Sequence, residues 1–196
     1  ILIVGKKNGK SLLASGVGLY LQLADGEAGP EVYAVATKRD QAKIIWQEAK
    51  RMVKKSPALC RRMRSLVAEL DSDFNDGVFK PIHQWKSGRA LYDIIADGVT
   101  AREQPLIFIT STAGTIREDI YDEKYEEAER IINGYEDPDG YHDPRRIAFI
   151  YELDKRSEWT APDCWKKANP GLGTTKSYTA LKERDERADK NQPPVR

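Results

Sequence analysis

The sequence predicts an α/β fold, a mostly parallel sheet with helices on both faces in three αβα layers. Two observations lead there. Short β-branched runs alternate with longer stretches whose apolar residues recur every three or four positions, and parallel strands need such crossover helices to join them. Ile1–Val4 is the first run, and a helix is expected from about Ser11 to Ala24. Glu27-Ala28-Gly29-Pro30 is a turn, and Glu31–Thr37 reads as a strand with Val32, Ala34 and Ala36 on one side. From Arg39 to Lys55, Ala42, Ile45, Trp46, Ala49, Met52 and Val53 form one helical face. Ser56-Pro57 breaks it, and a short helix is expected to run on to about Ser65. Leu66–Leu70 and Val78–Pro81 read as short strands, Arg89–Ala96 as a helix and Leu106–Thr110 as a strong buried strand. Tyr121, Tyr125, Ala128 and Ile132 mark an amphipathic helix, Arg146–Leu153 a strand, and Ala161–Ala168 and Tyr178–Asp189 helices.

The 196 residues fit one large domain that buries about 70% of its unfolded surface. No apolar run reaches the ~18 residues of a membrane span. Cys60 and Cys164 are too few for a disulfide scaffold and have no metal-ligand spacing, which points to a reduced compartment. The chain opens without Met, inside an apolar run, as expected of a fragment whose N-terminus lies upstream. Residues 191–196 read as the start of a linker after a domain spanning 1–190. A net charge of +1 argues against coating nucleic acid by bulk charge, yet the charge is uneven. Lys50, Arg51, Lys54, Lys55, Arg61, Arg62 and Arg64 fall in fifteen residues without an acid. Glu118, Asp119, Asp122, Glu123, Glu126, Glu127 and Glu129 crowd a later stretch. Each run reads either as a solvated helix face or, for the basic one, as a surface for a phosphate backbone.

The segment richest in chemistry is Gly5-Lys6-Lys7-Asn8-Gly9-Lys10-Ser11, between a buried strand and a helix, the context of a phosphate-binding P-loop. Gly9 lets the backbone approach phosphate oxygens, and successive amides at a helix N-terminus supply positive potential. Lys10 is the residue to neutralise the β and γ phosphates of ATP, and the Ser11 hydroxyl the one to ligate Mg²⁺. The glycine spacing is one residue short, with Val4 where the first glycine is expected. The competing reading is an ordinary turn with surface lysines. A nucleotide hydrolase also needs an acid pair closing a second apolar strand, and none is present; the stretches ending at Asp71 and Asp97 are poor substitutes.

In order along the chain, Lys6–Ser11, Thr37 through Gln41-Ala42, His83-Gln84-Trp85, Ala101–Leu106 running into Ile109–Gly114, and Trp165–Gly173 together resemble the ATPase domain of the large terminase subunit, the DNA-packaging motor of tailed phages. The resemblance covers almost the whole chain and implies a P-loop NTPase-type fold that hydrolyses ATP with Mg²⁺ to translocate double-stranded DNA into a procapsid. It implies that Lys6 helps bind the γ-phosphate, with Lys in a place where the family usually has Arg. It implies that Thr110, Ser111 and Thr112 couple loss of that phosphate to the rest of the domain, and that Arg102, or less directly Arg89, reaches a neighbour's nucleotide in trans. An apolar strand ending in Asp-Glu stands in the family directly ahead of the segment matching His83-Gln84-Trp85. Here Ile82 abuts His83, so a stretch carrying both acids is expected to be missing near Ile82. Implied partners are double-stranded DNA, held by Lys50, Arg51, Lys54, Lys55, Arg61 and Arg62, the portal protein and the small terminase subunit. The implied working form is a homo-oligomeric ring at the procapsid portal in the bacterial host cytoplasm, with a monomer as the alternative when isolated. The family's nuclease domain is expected to lie outside these 196 residues, so no DNA cleavage is expected from them alone. A metal site at His83 or His142 is disfavoured, and Trp159 and Trp165 read as core residues. Rival readings are another P-loop enzyme, such as a helicase-like ATPase or a nucleotide kinase, and a non-catalytic nucleotide-binding assembly module.

Overall fold

The structure, a computed structural model, describes residues 1–36, 38–83, 88–99, 105–112, 120–137 and 139–190. The expectations placed on Thr37, Gln84, Trp85, Arg102, Glu118, Asp119 and residues 191–196 lie outside the described residues. The chain packs as two compact units, one made of Ile1–Lys10 with Phe108–Arg196, the other of Ser11–Ile107. Both are α/β with parallel strand pairs and packed helices, as the alternating pattern predicts.

The first unit holds a three-stranded all-parallel sheet, in the order β6 (Thr110–Ser111), β1 (Leu2–Ile3), β7 (Phe149–Ile150). Leu2 lies opposite Thr110 and Phe149, and Ile3 opposite Ser111 and Ile150. The ladders reach one residue further each way, through Leu2 N–H to Ile109 O (2.9 Å) and Tyr151 N–H to Ile3 O (2.9 Å). Helix α5 (Ile120–Glu136) packs on this sheet. Ile3, Ala128, Ile131 and Ala148 form the core there, flanked by Tyr121, Tyr125 and Ile132. The acidic run on α5 is more than a solvated face: Glu127 accepts from Lys124 (2.6 Å) and is paired with Arg146. Helix α7 (Tyr178–Lys190) agrees with its expected span.

The second unit holds a four-stranded sheet, in the order β2 (Glu31–Ala36), β5 (Gly77–His83), β4 (Leu70–Ser72), β3 (Arg64–Ser65). β2 and β5 are parallel, with Ile82 opposite Val35 and His83 opposite Ala36; the other two pairings are antiparallel. Helix α2 (Arg39–Lys55) has the bounds the periodicity predicts, and Trp46, Ala49 and Val53 pack with Ala34, Leu70 and Phe79. Ala49 and Leu70 are fully buried. Helix α1 (Lys10–Leu23) sends Leu19 into the same core. Helix α4 (Gly88–Gly98) buries Leu91.

Four expectations are corrected. The helix after Pro57 stops at Cys60 (α3, Pro57–Cys60), and Arg64–Ser65 is already β3. Leu66 and Val67 sit in the β3–β4 connection, with Val67 almost wholly exposed, so the apolar run there is a turn. The buried strand expected from Leu106 is half exposed at Leu106 (53%) and pairs as a strand only at Thr110–Ser111. Ala161–Ala168 is a 3₁₀ turn (Pro162–Cys164) followed by one helical turn, α6 (Trp165–Ala168), because Pro162 begins a new turn in place of continuing one. Trp165 is buried, as expected of a core residue, and its indole N–H donates to Trp159 O (2.6 Å).

Two glycines of α1 test this packing in opposite directions. A Cβ on Gly18 would lie 2.8 Å from a ring carbon of fully buried Phe79, whereas one on Gly16 would meet nothing within 4 Å. Gly16→Ala is expected to raise stability by about 0.5–1 kcal/mol through helix propensity. Gly18→Ala is expected to lower it by about 1–2 kcal/mol, because overpacking outweighs that gain. Urea-unfolding midpoints read both.

Candidate phosphate-binding site

Strand β1 delivers the loop. Val4 is buried (2% exposed) beyond β1, and its N–H donates to Ser111 O (3.2 Å). Gly5 follows in a confined position, where a Cβ would stand 3.1 Å from Asn169 Oδ1, 3.2 Å from Asn8 Nδ2 and 3.3 Å from Ala168 O. The chain then turns through Lys7 (φ 65°) and Gly9 (φ 79°), both left-handed, before α1 begins at Lys10. Gly9 takes this conformation freely, and no atom lies within 4 Å of where its Cβ would be, so its backbone has an open flank.

The Lys10 ammonium folds back over the loop. It donates to Val4 O (2.7 Å), Gly5 O (3.2 Å) and Thr112 Oγ1 (3.1 Å). Burial, and secondarily the positive charge of Lys6, pushes its pKa below the usual lysine value of 10.5. Lys10 and Thr112, far apart in sequence, are thus brought together, while Thr110 and Ser111 are the β6 residues that pair with β1. Lys6 and Lys7 are exposed, and Ser11 is the second residue of α1.

Asn8 does not offer its amide outward. Its Nδ2 donates to Gly5 O (3.1 Å) and Asn169 Oδ1 (3.2 Å), and its Oδ1 accepts from Gly171 N–H (3.1 Å). The Thr175 hydroxyl lies 3.2 Å from Lys7 O, and Lys176 Nζ donates to Asn169 Oδ1 (2.5 Å). Burial, then Arg184 and Lys7, lowers the Lys176 pKa. Asn169, Gly171, Thr175 and Lys176 were not among the expected site residues. The Asn-Pro-Gly-Leu-Gly run at 169–173 marks a polar, glycine-rich turn, but nothing local ties it to a loop some 160 positions away.

The basic run divides. Lys50 donates to Leu66 O (2.7 Å) and lies 4.4 Å from the centroid of the Trp46 ring, and Arg51 pairs with Glu48. Lys54, Lys55, Arg61 and Arg62 are exposed. Arg64 is paired with Asp71 (2.7 Å) and with Asp73.

An α/β arrangement whose first strand, paired in parallel on both sides, passes through a left-handed, glycine-containing turn into a helix headed by lysine places the chain in the α/β class with a parallel sheet flanked by helices. Within that class the chain belongs to the family of terminase large subunit ATPase domains, whose family model matches residues 1–130. Among curated proteins, Protein YmfN of Escherichia coli (strain K12) is 34% identical over 103 residues, 52% of this chain and 21% of that protein. The terminase large subunit of Enterobacteria phage HK97 is 24% identical over 213 residues, covering 96% of this chain and 40% of its own length. The crystal structure of the HK97 bacteriophage large terminase has the same fold, with a TM-score of 0.81 at 21% identity over 96% of this chain and 43% of that one. The chain therefore spans less than half the length of these relatives. The 213 aligned residues exceed the 196 of this chain, so the phage protein carries residues there without a counterpart here.

The lowered Lys10 pKa has a proton-linked consequence. A bound polyphosphate would stabilise the ammonium and raise its pKa again, so the anion-bound state would hold more protons in the window between the free and bound values. Inorganic triphosphate is expected to bind with net proton uptake in that window, and its affinity to fall as pH rises through it. Calorimetry in two buffers of different ionisation enthalpy measures the uptake, and Lys10→Met is expected to abolish the alkaline component.

Proposed function

We propose that this chain is the ATP-binding motor domain of a terminase large subunit, hydrolysing ATP with Mg²⁺ to move double-stranded DNA into a procapsid. The observation that carries the reading is the Lys10 ammonium, held over the loop by neutral oxygens and beside Thr112. A phosphate oxygen is a charged acceptor and a stronger partner for an ammonium than a carbonyl, so the loop fits the group. Gly5 through Ser11 would hold the nucleotide phosphates, with Lys6 and Lys10 supplying charge and Ser11 the hydroxyl for Mg²⁺. That ion supplies further neutralisation of phosphate charge when bound. Asn8 belongs to the loop's frame, since its amide is engaged within the protein. Thr110, Ser111 and Thr112 lie on the segment that would report phosphate loss, through the bond between Thr112 and Lys10. Arg102 remains the candidate for action in trans, in a ring of subunits on the portal, with the small terminase subunit as a further partner in the host cytoplasm.

Turnover needs the acid pair that the 196 residues lack. We propose that it belongs to a stretch near Ile82, consistent with the extra aligned residues of the phage relative. Lys10→Ala in the protein carrying that stretch is expected to lower steady-state phosphate release at least 100-fold and to weaken ATP binding. Retained turnover would refute the loop's role. The 196-residue chain itself is expected to bind ATP and turn it over at background rates; full turnover would place the acids within it.

For DNA, we propose Lys54, Lys55, Arg61 and Arg62 as the leading contacts of the run, since Lys50 and Arg51 already have partners. Replacing those four with Gln is expected to weaken duplex binding and flatten the plot of log affinity against log salt by up to about 3–4 units. Fluorescence anisotropy across a salt series measures it, and an unchanged slope returns the run to a solvated face.

A further inference from the structure

The nucleotide loop is continuous, through side chains, with the segment 169–176. The Gly5 carbonyl accepts from two sides, from Lys10 Nζ at 3.2 Å and from Asn8 Nδ2 at 3.1 Å. Asn8 Nδ2 also donates to Asn169 Oδ1 at 3.2 Å, and that oxygen takes Lys176 Nζ at 2.5 Å. One hydrogen-bonded chain therefore runs from Lys10 through Gly5, Asn8 and Asn169 to Lys176. Two further bonds fasten the same segments, Gly171 N–H to Asn8 Oδ1 (3.1 Å) and the Thr175 hydroxyl to Lys7 O (3.2 Å). Asn169 is 8% exposed and is itself fixed by its Nδ2 donating to the backbone carbonyl of buried Trp165 (3.0 Å). A Cβ on Gly171 would stand 2.2 Å from Thr175 Oγ1, so the close approach depends on glycine. All these residues belong to one compact unit, and 169–176 lies beyond the span matched by the family model.

We propose that Asn169 is a positioning residue for the nucleotide site: through Asn8 it fixes the carbonyl of Gly5 and the left-handed turn at Lys7, so that the affinity of the loop for phosphate is set by the segment 169–176. The inference rests on the reading of the loop as an ATP site. The physical reason is pre-organisation. Lys7 is a non-glycine residue at φ 65°, a conformation that costs free energy unless the surroundings hold it. The bonds from Asn8 and Thr175 flank that residue. With Asn169 truncated, Asn8 loses one acceptor, Lys176 loses its bond to that oxygen, and the loop orders only when phosphate arrives, which weakens binding.

A double-mutant cycle on the otherwise intact chain tests this, reading the Kd for ATP·Mg²⁺ by fluorescence or calorimetry and the nucleotide-free Tm. Asn8→Ala and Asn169→Ala are each expected to raise the Kd about tenfold, and the double variant about tenfold as well, because both break one chain of bonds. A roughly hundredfold loss in the double variant means independent action and overturns the proposal. So does a Kd within twofold of the unaltered chain accompanied by a lowered Tm, which marks a purely structural clasp. Asn169→Ser, which leaves a short hydroxyl, replaces Asn169→Ala if the latter does not fold. Binding by the unaltered chain with unshifted variants overturns this inference alone; no ATP binding by the unaltered chain overturns the nucleotide reading and this inference with it.

Discussion

An ammonium group held by neutral oxygens organises the first unit. Lys10 reaches Val4 O, Gly5 O and Thr112 Oγ1, and each acceptor is put in place by the three-stranded sheet. The two residues of β1 are few, but they sit centrally, with ladders on both sides. The register that sets Leu2 opposite Thr110 and Ile3 opposite Ser111 brings Thr112 level with the start of the loop. A slip of one residue would turn alternate side chains to the other face and carry the Thr112 hydroxyl away from Lys10. The strand order is thus a constraint on chemistry as much as on packing. It also accounts for Ile3 being nearly fully buried: Ile3 packs with Ala128 and Ile131 of α5 and holds level the strand from which the loop departs.

The loop does not keep its shape unaided. One residue shorter between its glycines than the usual phosphate loop, it turns with Lys7 in the left-handed region and spends the amide of Asn8 on internal bonds. Strain of this kind persists where surrounding contacts over-determine the backbone. Here the support comes from Asn169, Gly171 and Thr175. Division of labour follows: Gly9 is open on its flank and takes the left-handed turn freely, while Gly5, hemmed in by Asn169 and Ala168, serves packing.

What could be read from the sequence tracks how local the determining physics is. Helix α2 is legible from Arg39 to Lys55 because seventeen residues of one amphipathic pattern end at a Ser-Pro that stops it. The lysine loop was legible because strand, glycine turn and helix are contiguous. Leu106–Thr110 misled because an apolar run is equally compatible with burial and with a half-exposed approach to a short strand, and only tertiary packing decides. Arg61–Ser65 misled in the same way: a helix-compatible composition yields to a hairpin whose Arg64 pairs with Asp71 across the strands. The role of Asn169 was not legible at all. Its partner is Asn8, 161 positions away, and no periodicity encodes such a pairing.

Charge makes the last link from structure to ligand. The net charge of +1 conceals cations of two kinds. Arg51 with Glu48, Arg64 with Asp71, and Lys124 and Arg146 with Glu127 are neutralised by carboxylates. At the loop, Lys10 and Lys176 are bonded to carbonyl, hydroxyl and amide oxygens, acceptors that satisfy geometry without cancelling charge. Burial is the main reason their pKa values fall, and neighbouring cations add to it, Lys6 at Lys10, and Arg184 and then Lys7 at Lys176. A half-buried group of cations in mutual repulsion favours an arriving polyanion over any neutral ligand, because each phosphate oxygen relieves repulsion and replaces a weaker acceptor at once. The exposed cations of the basic run lack this confinement and are screened by salt within about 10 Å, so the two sets differ in kind: one is half-buried among neutral acceptors, the other open to solvent.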